Sequence, residues 1–259
     1  MFGFFKRKKE RLFEPEQNRV QQDFENIQNS LDYVKELTGI NFEKQRTIFQ
    51  SKLKSFCEKR NINSFDECLE KAARDTLLRQ DLVNYVTTNE TYFYREFEQI
   101  KTLVASVCKR VDKVSILCMP CSTGEEPYTI VIALLEAGVP STRFNLLGAD
   151  IDTAALQRAK EGVYNARDIS KMPPDLVDKY FLKKGDKFHL NTLVKSCVDF
   201  NACNLFDPGL KKVGQFDYVL SRNMLIYFDM GTKLKASKIL DGLLKPTSDP
   251  VYYGHADLY

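Results

Sequence analysis

Residues 121–130 read CSTGEEPYTI, and this stretch decides the fold class. An apolar, strand-like run, Val114 to Cys118, comes just before it, and a helical pattern from Pro127 to Ala137 follows. A strand that turns sharply through a glycine into a helix is where α/β enzymes hold a nucleotide-like cofactor. This turn carries Glu125 and Glu126 where dinucleotide and phosphate loops keep glycines, amides and a lysine. Two carboxylates repel phosphate and suit a ligand that carries positive charge.

Outward from this turn the texture is alternating strand and helix, which implies a parallel sheet. Phe144–Ala149 reads as the second strand and ends at Asp150. Asp152 can cap the next helix, which stops at Gly162. Pro173–Phe181 reads as a short helix and Lys187–Phe200 as a small hairpin. Asp217–Ser221 is a further strand, Thr232–Leu244 a helix and Val251–Gly254 a last strand.

Residues 18–88 read as helices only. Val20, Phe24, Ile27, Leu31 and Val34 recur at helical spacing, and Gly39 supplies a stop. Glu43 to Arg60 places Phe49, Leu53 and Phe56 on one side, with Lys44, Arg46, Lys52, Lys54, Lys59 and Arg60 on the same helix. That basic face is either simply solvated or a docking surface for an acidic partner. Ser64 and Glu67 have capping-box spacing and open a third helix, and more helix runs through Leu77, Leu82 and Val83.

Composition narrows the function classes. A length of 259 residues suits one large domain or a large and a small one. The net charge of +3 does not argue for a nucleic-acid partner, and none is expected. No apolar run approaches the roughly 18 residues of a membrane span. Seven cysteines without a framework indicate a reduced compartment, and the lone C-x-x-C of Cys118 and Cys121 lacks the second pair of a zinc site, so no metal is expected. The start, MFGFFKRKKERLF, has no apolar core after its charges and so is not a secretory signal. It reads as a basic tail over 1–17, either disordered or drawn weakly to an anionic membrane surface.

Several positions carry chemistry. Asp150 lies about 26 residues beyond Gly124, where dinucleotide folds put the carboxylate that grips ribose hydroxyls. Arg222 and Asn223 follow one strand and Asn204 follows another, where an open sheet presents its carboxyl-end crevice. TTNETYFYREF, residues 87–97, packs three aromatics and an arginine between the two regions, as interdomain packing or as a carboxylate holder. Tyr227 is either a core aromatic or turns its hydroxyl into the crevice.

Five pieces, TNETYFYRE, CSTGEEPYTI, GADIDTAALQRAKEGVYN, NACNLF and SRNMLIYFD, stand in the order and at the spacing of one family. With the helical front the likeness covers about residues 20–255, and the chain resembles the CheR-type chemotaxis receptor methyltransferases. The resemblance implies S-adenosylmethionine (SAM) as cofactor, S-adenosylhomocysteine as product, and methyl transfer to glutamate side chains on the cytoplasmic part of methyl-accepting chemoreceptors. It implies a Rossmann-like methyltransferase domain over 89–259 behind a helical domain over 18–88, with a short antiparallel β insertion at 183–200. Cofactor contacts fall on Asn89, Thr91, Arg95, Glu126, Asp150, Asn204, Leu205, Arg222 and Asn223. Arg95 and Tyr227 match the pair beside the transferred methyl and stand as the catalytic residues. The expected protein is a cytoplasmic monomer, brought near the membrane by its receptors. Its rivals are a SAM-binding signalling adaptor without catalysis and a small-molecule methyltransferase. Three departures stand out, of which the first two are that YFYR replaces the family's double phenylalanine before the arginine and that the hairpin is short for the insertion with which some relatives hold a tethering pentapeptide. The chain stops at GHADLY where relatives continue into further sheet, so its carboxyl edge is expected to be incomplete.

Overall fold

A computed structural model describes residues 23–246 and 248–258. The basic start and Val20 lie outside them.

Four helices form the front of the chain: α1 (Gln28–Thr38), α2 (Arg46–Glu58), α3 (Phe65–Arg74) and α4 (Thr76–Val86). The first begins later than its periodic pattern predicts. Phe24 and Ile27 are buried but precede α1, and Asn26 turns its side-chain oxygen onto the Gln28 amide instead. Gly39, in the left-handed region, ends it as expected. Ser64 accepts the Glu67 amide at 3.1 Å, while the Glu67 carboxylate reaches back to the Asn63 amide at 2.8 Å, one residue short of a full capping box. Phe49, Leu53 and Phe56 of α2 meet Phe65 of α3 and Leu82 of α4 in one apolar core.

The helix α5 (Phe97–Lys109) then leads into the sheet. Its buried Ile100, Leu103 and Val107 recur at helical spacing, but the sequence reading passes it by. The reason is local: Glu96, just ahead of α5, is left-handed at φ +48° and offers no side-chain cap to mark the start.

The remaining elements are β1 (Val114–Cys118), α6 (Glu125–Glu136), β2 (Phe144–Asp150), α7 (Thr153–Glu161), β3 (Val163–Asn165), α8 (Pro174–Tyr180), β4 (Phe181–Lys184), β5 (Lys187–Leu190), α9 (Thr192–Lys195), β6 (Val198–Ala202), β7 (Tyr218–Ser221), α10 (Met230–Asp241) and β8 (Tyr252–Tyr253). The main sheet runs β6-β2-β1-β7-β8, with every neighbouring pair parallel. Its central strand β1, held between Leu146 and Tyr218 at Ile116, is buried on both faces, so it reads as an unbroken apolar run rather than an alternating one. The chain winds outward from β1 through β2 to β6, then returns to the other side of β1 with β7. The order therefore reverses between β1 and β7, and their carboxyl ends frame the crevice in which open α/β sheets bind ligands.

The antiparallel strands sit earlier than expected. They run in the order β3-β5-β4, within Val163–Leu190 rather than 183–200. Val198–Ala202 is no hairpin strand: it pairs in parallel with β2 from Leu146 to Asp150. Asn191 caps the short α9 through the Val194 amide at 2.9 Å, and this turn redirects the chain from the small sheet to the large one.

Candidate active site

The turn after β1 puts its chemistry in place through one glycine. Gly124 starts α6 at φ +94°, and a Cβ there would lie 2.9 Å from the Ala159 methyl. Both the left-handed backbone and the close approach to α7 require glycine. Glu125 and Glu126 follow as the first two residues of α6, about 100° apart around the helix axis. They therefore face different ways, and the expectation of two carboxylates in the crevice is corrected to one. Glu125 is 3% exposed and sits against the Thr123 hydroxyl, 2.7–2.8 Å from its two oxygens; burial pushes its carboxyl up to about 7. Glu126 alone faces the cavity.

Glu126 Oε2 accepts from Arg222 Nη1 at 2.6 Å, and Arg222 also donates to the Arg95 carbonyl at 2.7 Å. Glu126 Oε1 is buried with no N–H or O–H donor on it, and only the weak Cys118 thiol stands beside the carboxylate. Burial raises the Glu126 pKa, and Arg222 only partly offsets it. A buried carboxylate oxygen left unsatisfied is costly, which fits a site completed by a cationic hydrogen-bond donor.

The carboxyl end of β2 supplies Asp150, 5% exposed. Its oxygens accept the Ser122 amide at 2.7 Å and the Asp152 amide at 2.9 Å, leaving lone pairs on both. Burial pushes its carboxyl up to about 6. Asp152 caps α7 through the Ala154 and Ala155 amides, both at 2.9 Å, as the sequence predicts. It has a second duty the sequence reading missed: its other oxygen accepts from Asn89 at 2.6 Å and Thr87 at 2.9 Å, tying the 87–95 segment to the sheet.

Asn89, Thr91, Arg95, Glu126 and Asp150 line one cavity. Arg222, Asn223 and Tyr227, from the loop after β7, close it. Arg95 donates to the Glu90 carbonyl at 2.7 Å, and burial raises the Tyr227 phenol. Asn204 and Leu205 are not among the lining residues. Asn204 donates to the Leu37 carbonyl at 2.7 Å and accepts the Phe206 amide at 2.9 Å, so its side chain ties the loop to α1. Leu205 is 5% exposed, in an apolar cluster with Met119 and Val219. Ser122 and Asn223, in the lining, have positive φ of 48° and 61°, and Tyr94 and Glu96 flank Arg95 at 64° and 48°. Such strain gathers at ligand-binding sites, where surrounding structure must hold it.

A family model described as "CheR methyltransferase, SAM binding domain" matches residues 89–258, the segment that builds this cavity. The chain belongs to the CheR methyltransferase family. It is a SAM-dependent methyltransferase, and the residues that meet around Glu126 fit a cationic cofactor. A chemotaxis protein methyltransferase from Campylobacter jejuni is 34% identical over 226 residues, covering 87% of this chain and 85% of that protein. Chemotaxis protein methyltransferase 2 from Vibrio cholerae is 32% identical over 240 residues, covering 87% and 83%. One from Borreliella burgdorferi is 30% identical over 236 residues, covering 85% and 83%. All three alignments cover more of this chain than the segment that the SAM-binding model matches, and so reach into the helical front.

Proposed function

We propose that this chain methylates glutamate side chains on the cytoplasmic part of chemoreceptors, giving methyl esters. The observation that carries this reading is one cavity that pairs an acidic cofactor side, Glu126 and Asp150, with Arg95 and Tyr227, the groups suited to a carboxylate acceptor. SAM supplies, when bound, a methyl group already activated on a cationic sulfur. Glu126 Oε1 accepts from the cofactor's ammonium. Asp150 takes the ribose hydroxyls on its remaining lone pairs, and Asn89, Thr91, Arg222 and Asn223 complete the cradle. Asn204 and Leu205 keep the cofactor-side role that the resemblance gives them only if their loop turns inward on binding.

Arg95 and Tyr227 orient the incoming carboxylate. A glutamate with a pKa near the ordinary value of about 4.3 is already ionised at neutral pH, so no residue here needs to act as general base. The task left to the chain is alignment, which is catalysis by proximity. Excluding water helps further, because charge is lost as carboxylate meets cation. Arg95 serves orientation rather than tight ground-state binding, since uniform binding would not speed the step.

The relatives' names, chemotaxis protein methyltransferase, support chemoreceptors as the partners, and the reading takes the enzyme as cytoplasmic and monomeric. The basic face of α2 is a weaker support. Arg46 is engaged with Glu43, Lys54 with Glu58 and Arg60 with Asp81, and Lys59 lies over the Tyr85 ring, which leaves half-buried Lys52 and, just ahead of the helix, exposed Lys44 for receptor docking.

The test is incubation with methyl-labelled SAM and receptor membranes, followed by base. Label released as methanol supports a carboxyl ester. Base-stable label on the receptor, or label found only on small molecules, overturns the reading. Membranes left unlabelled while the protein binds SAM would favour the adaptor.

A further inference from the structure

The loop after β7 gives the cavity Arg222, Asn223 and Tyr227, yet its shape is set from outside the cavity. Asn223 holds φ +61°, and its amide donates to Asp257 Oδ2 at 2.5 Å. The same oxygen accepts the Gly254 amide at 3.0 Å, and Oδ1 accepts the Ile226 amide at 3.3 Å. Asp257 is 5% exposed. Gly254, just after β8, backs directly onto the loop: a Cβ there would lie 2.8 Å from the Asn223 amide nitrogen. Only bare backbone fits, and that closeness brings Asp257 within reach.

A second carboxylate grips the loop from the residue just ahead of α5. Glu96 Oε1 accepts from Asn223 Nδ2 at 3.4 Å, and Oε2 from Arg222 Nη2 at 3.4 Å. Oε2 also takes the His255 amide at 3.2 Å and lies 3.0 Å from its ring Nδ1, which joins the two grips. Neither Glu96 nor Asp257 lines the cavity.

We propose that Glu96 and Asp257 are positioning residues for methyl transfer: together they set the Arg222–Tyr227 loop so that Arg222 engages one oxygen of Glu126 and leaves the other to the cofactor. A turn that needed only stability could be capped by neutral side chains, whereas buried charges are expensive unless fully paired. Here Glu96 pairs with the Arg222 guanidinium and Asp257 holds the amide of left-handed Asn223, both from behind the cavity wall. The inference rests on Glu126 as a cofactor contact, not on the identity of the methyl acceptor.

Asp257→Asn and Glu96→Gln keep shape while removing an acceptor oxygen. Asp217→Asn is the control: Asp217 is equally buried but pairs with Lys245 and Arg110 away from the cavity. Calorimetry with S-adenosylhomocysteine, thermal melting, and kcat and KM on receptor membranes are compared for all three. Asp257→Asn is expected to weaken cofactor binding at least tenfold and Glu96→Gln at least fivefold, each with a raised KM for SAM. The double variant should lose less than the product of the two, since both act on one loop. Asp217→Asn should lower the melting temperature with affinity within twofold of wild type. The proposal falls if both site variants also bind within twofold of wild type and differ only in melting temperature. Should Asp257→Asn fail to fold, Glu96→Gln decides alone. Wild-type protein that binds the cofactor but leaves receptors unmethylated would remove the receptor reading, while the affinity comparison would still judge the two carboxylates.

Discussion

The interior of α1–α4 is closed by Phe49, Leu53, Phe56, Phe65 and Leu82, while the carboxyl end of the sheet buries Glu125, Asp150, Asp152, Arg222 and Asp257. Among the described residues of the first region the buried polar side chains are only Ser30, whose hydroxyl has no partner, and Thr38, which donates to the Val34 carbonyl at 2.7 Å. The second region collects charge that a purely structural core would avoid. One region gives stability through apolar burial; the other gives up stability to hold polar groups ready for a ligand.

The largest expected effect breaks the first region alone. Leu53 is fully buried, so Leu53→Ala should cost about 2–5 kcal/mol in urea unfolding. The protein that remains folded should bind SAM as before; an affinity that fell in step would show that the two regions are not separable. Asp150→Ala acts in the other direction. Cofactor binding should weaken by about 1–3 kcal/mol through lost charge-assisted hydrogen bonds, and calorimetry reads it. Because burial holds this carboxyl up to about 6, wild-type affinity should also fall between pH 7.5 and 5 as the acceptor is protonated. An affinity flat across that range would remove Asp150 from the ribose site.

Glu125 sharpens the contrast, because it is buried charge that faces away from the cavity. Its folded pKa of about 7 lies above the ordinary 4.5, so the folded state binds its proton more tightly than the unfolded chain. Stability is therefore lost as pH rises from about 4.5 through 7. Glu125→Gln stays neutral and should gain about 1–3 kcal/mol at pH 8, with little gain at pH 4. Equal effects in urea unfolding at the two pH values would contradict that assignment. Smallest is Lys54→Ala, whose exposed partner Glu58 sits 3.9 Å away; its effect on stability should stay within about 0.5 kcal/mol.

What the sequence disclosed follows the same division. The stops at Gly39 and Gly162 and the caps at Ser64 and Asp152 depend on bonds two to four residues long, so they are readable from neighbours alone. The central strand was readable because β1 is buried on both faces. The small sheet was not, because β3 has three residues and pairs with β5 across the whole of α8. At the site, the motif order brought Asn89, Arg95, Glu126 and Asp150 to one cavity; the resemblance named Glu126, whereas the turn read by itself offered Glu125 and Glu126 alike, since they differ only by helix rotation. Nor could it show that the Asn204 amide turns to Leu37, or that Asp257 returns to hold Asn223, since both are contacts between distant segments.

The central claim is that the free oxygen of Glu126 receives the positive end of the methyl donor. Titration of SAM into wild type and Glu126→Gln, with melting temperatures recorded alongside, tests it most directly. At least tenfold weaker binding by the variant is the predicted result, in protein that remains folded. Matching affinities for the two proteins would contradict it.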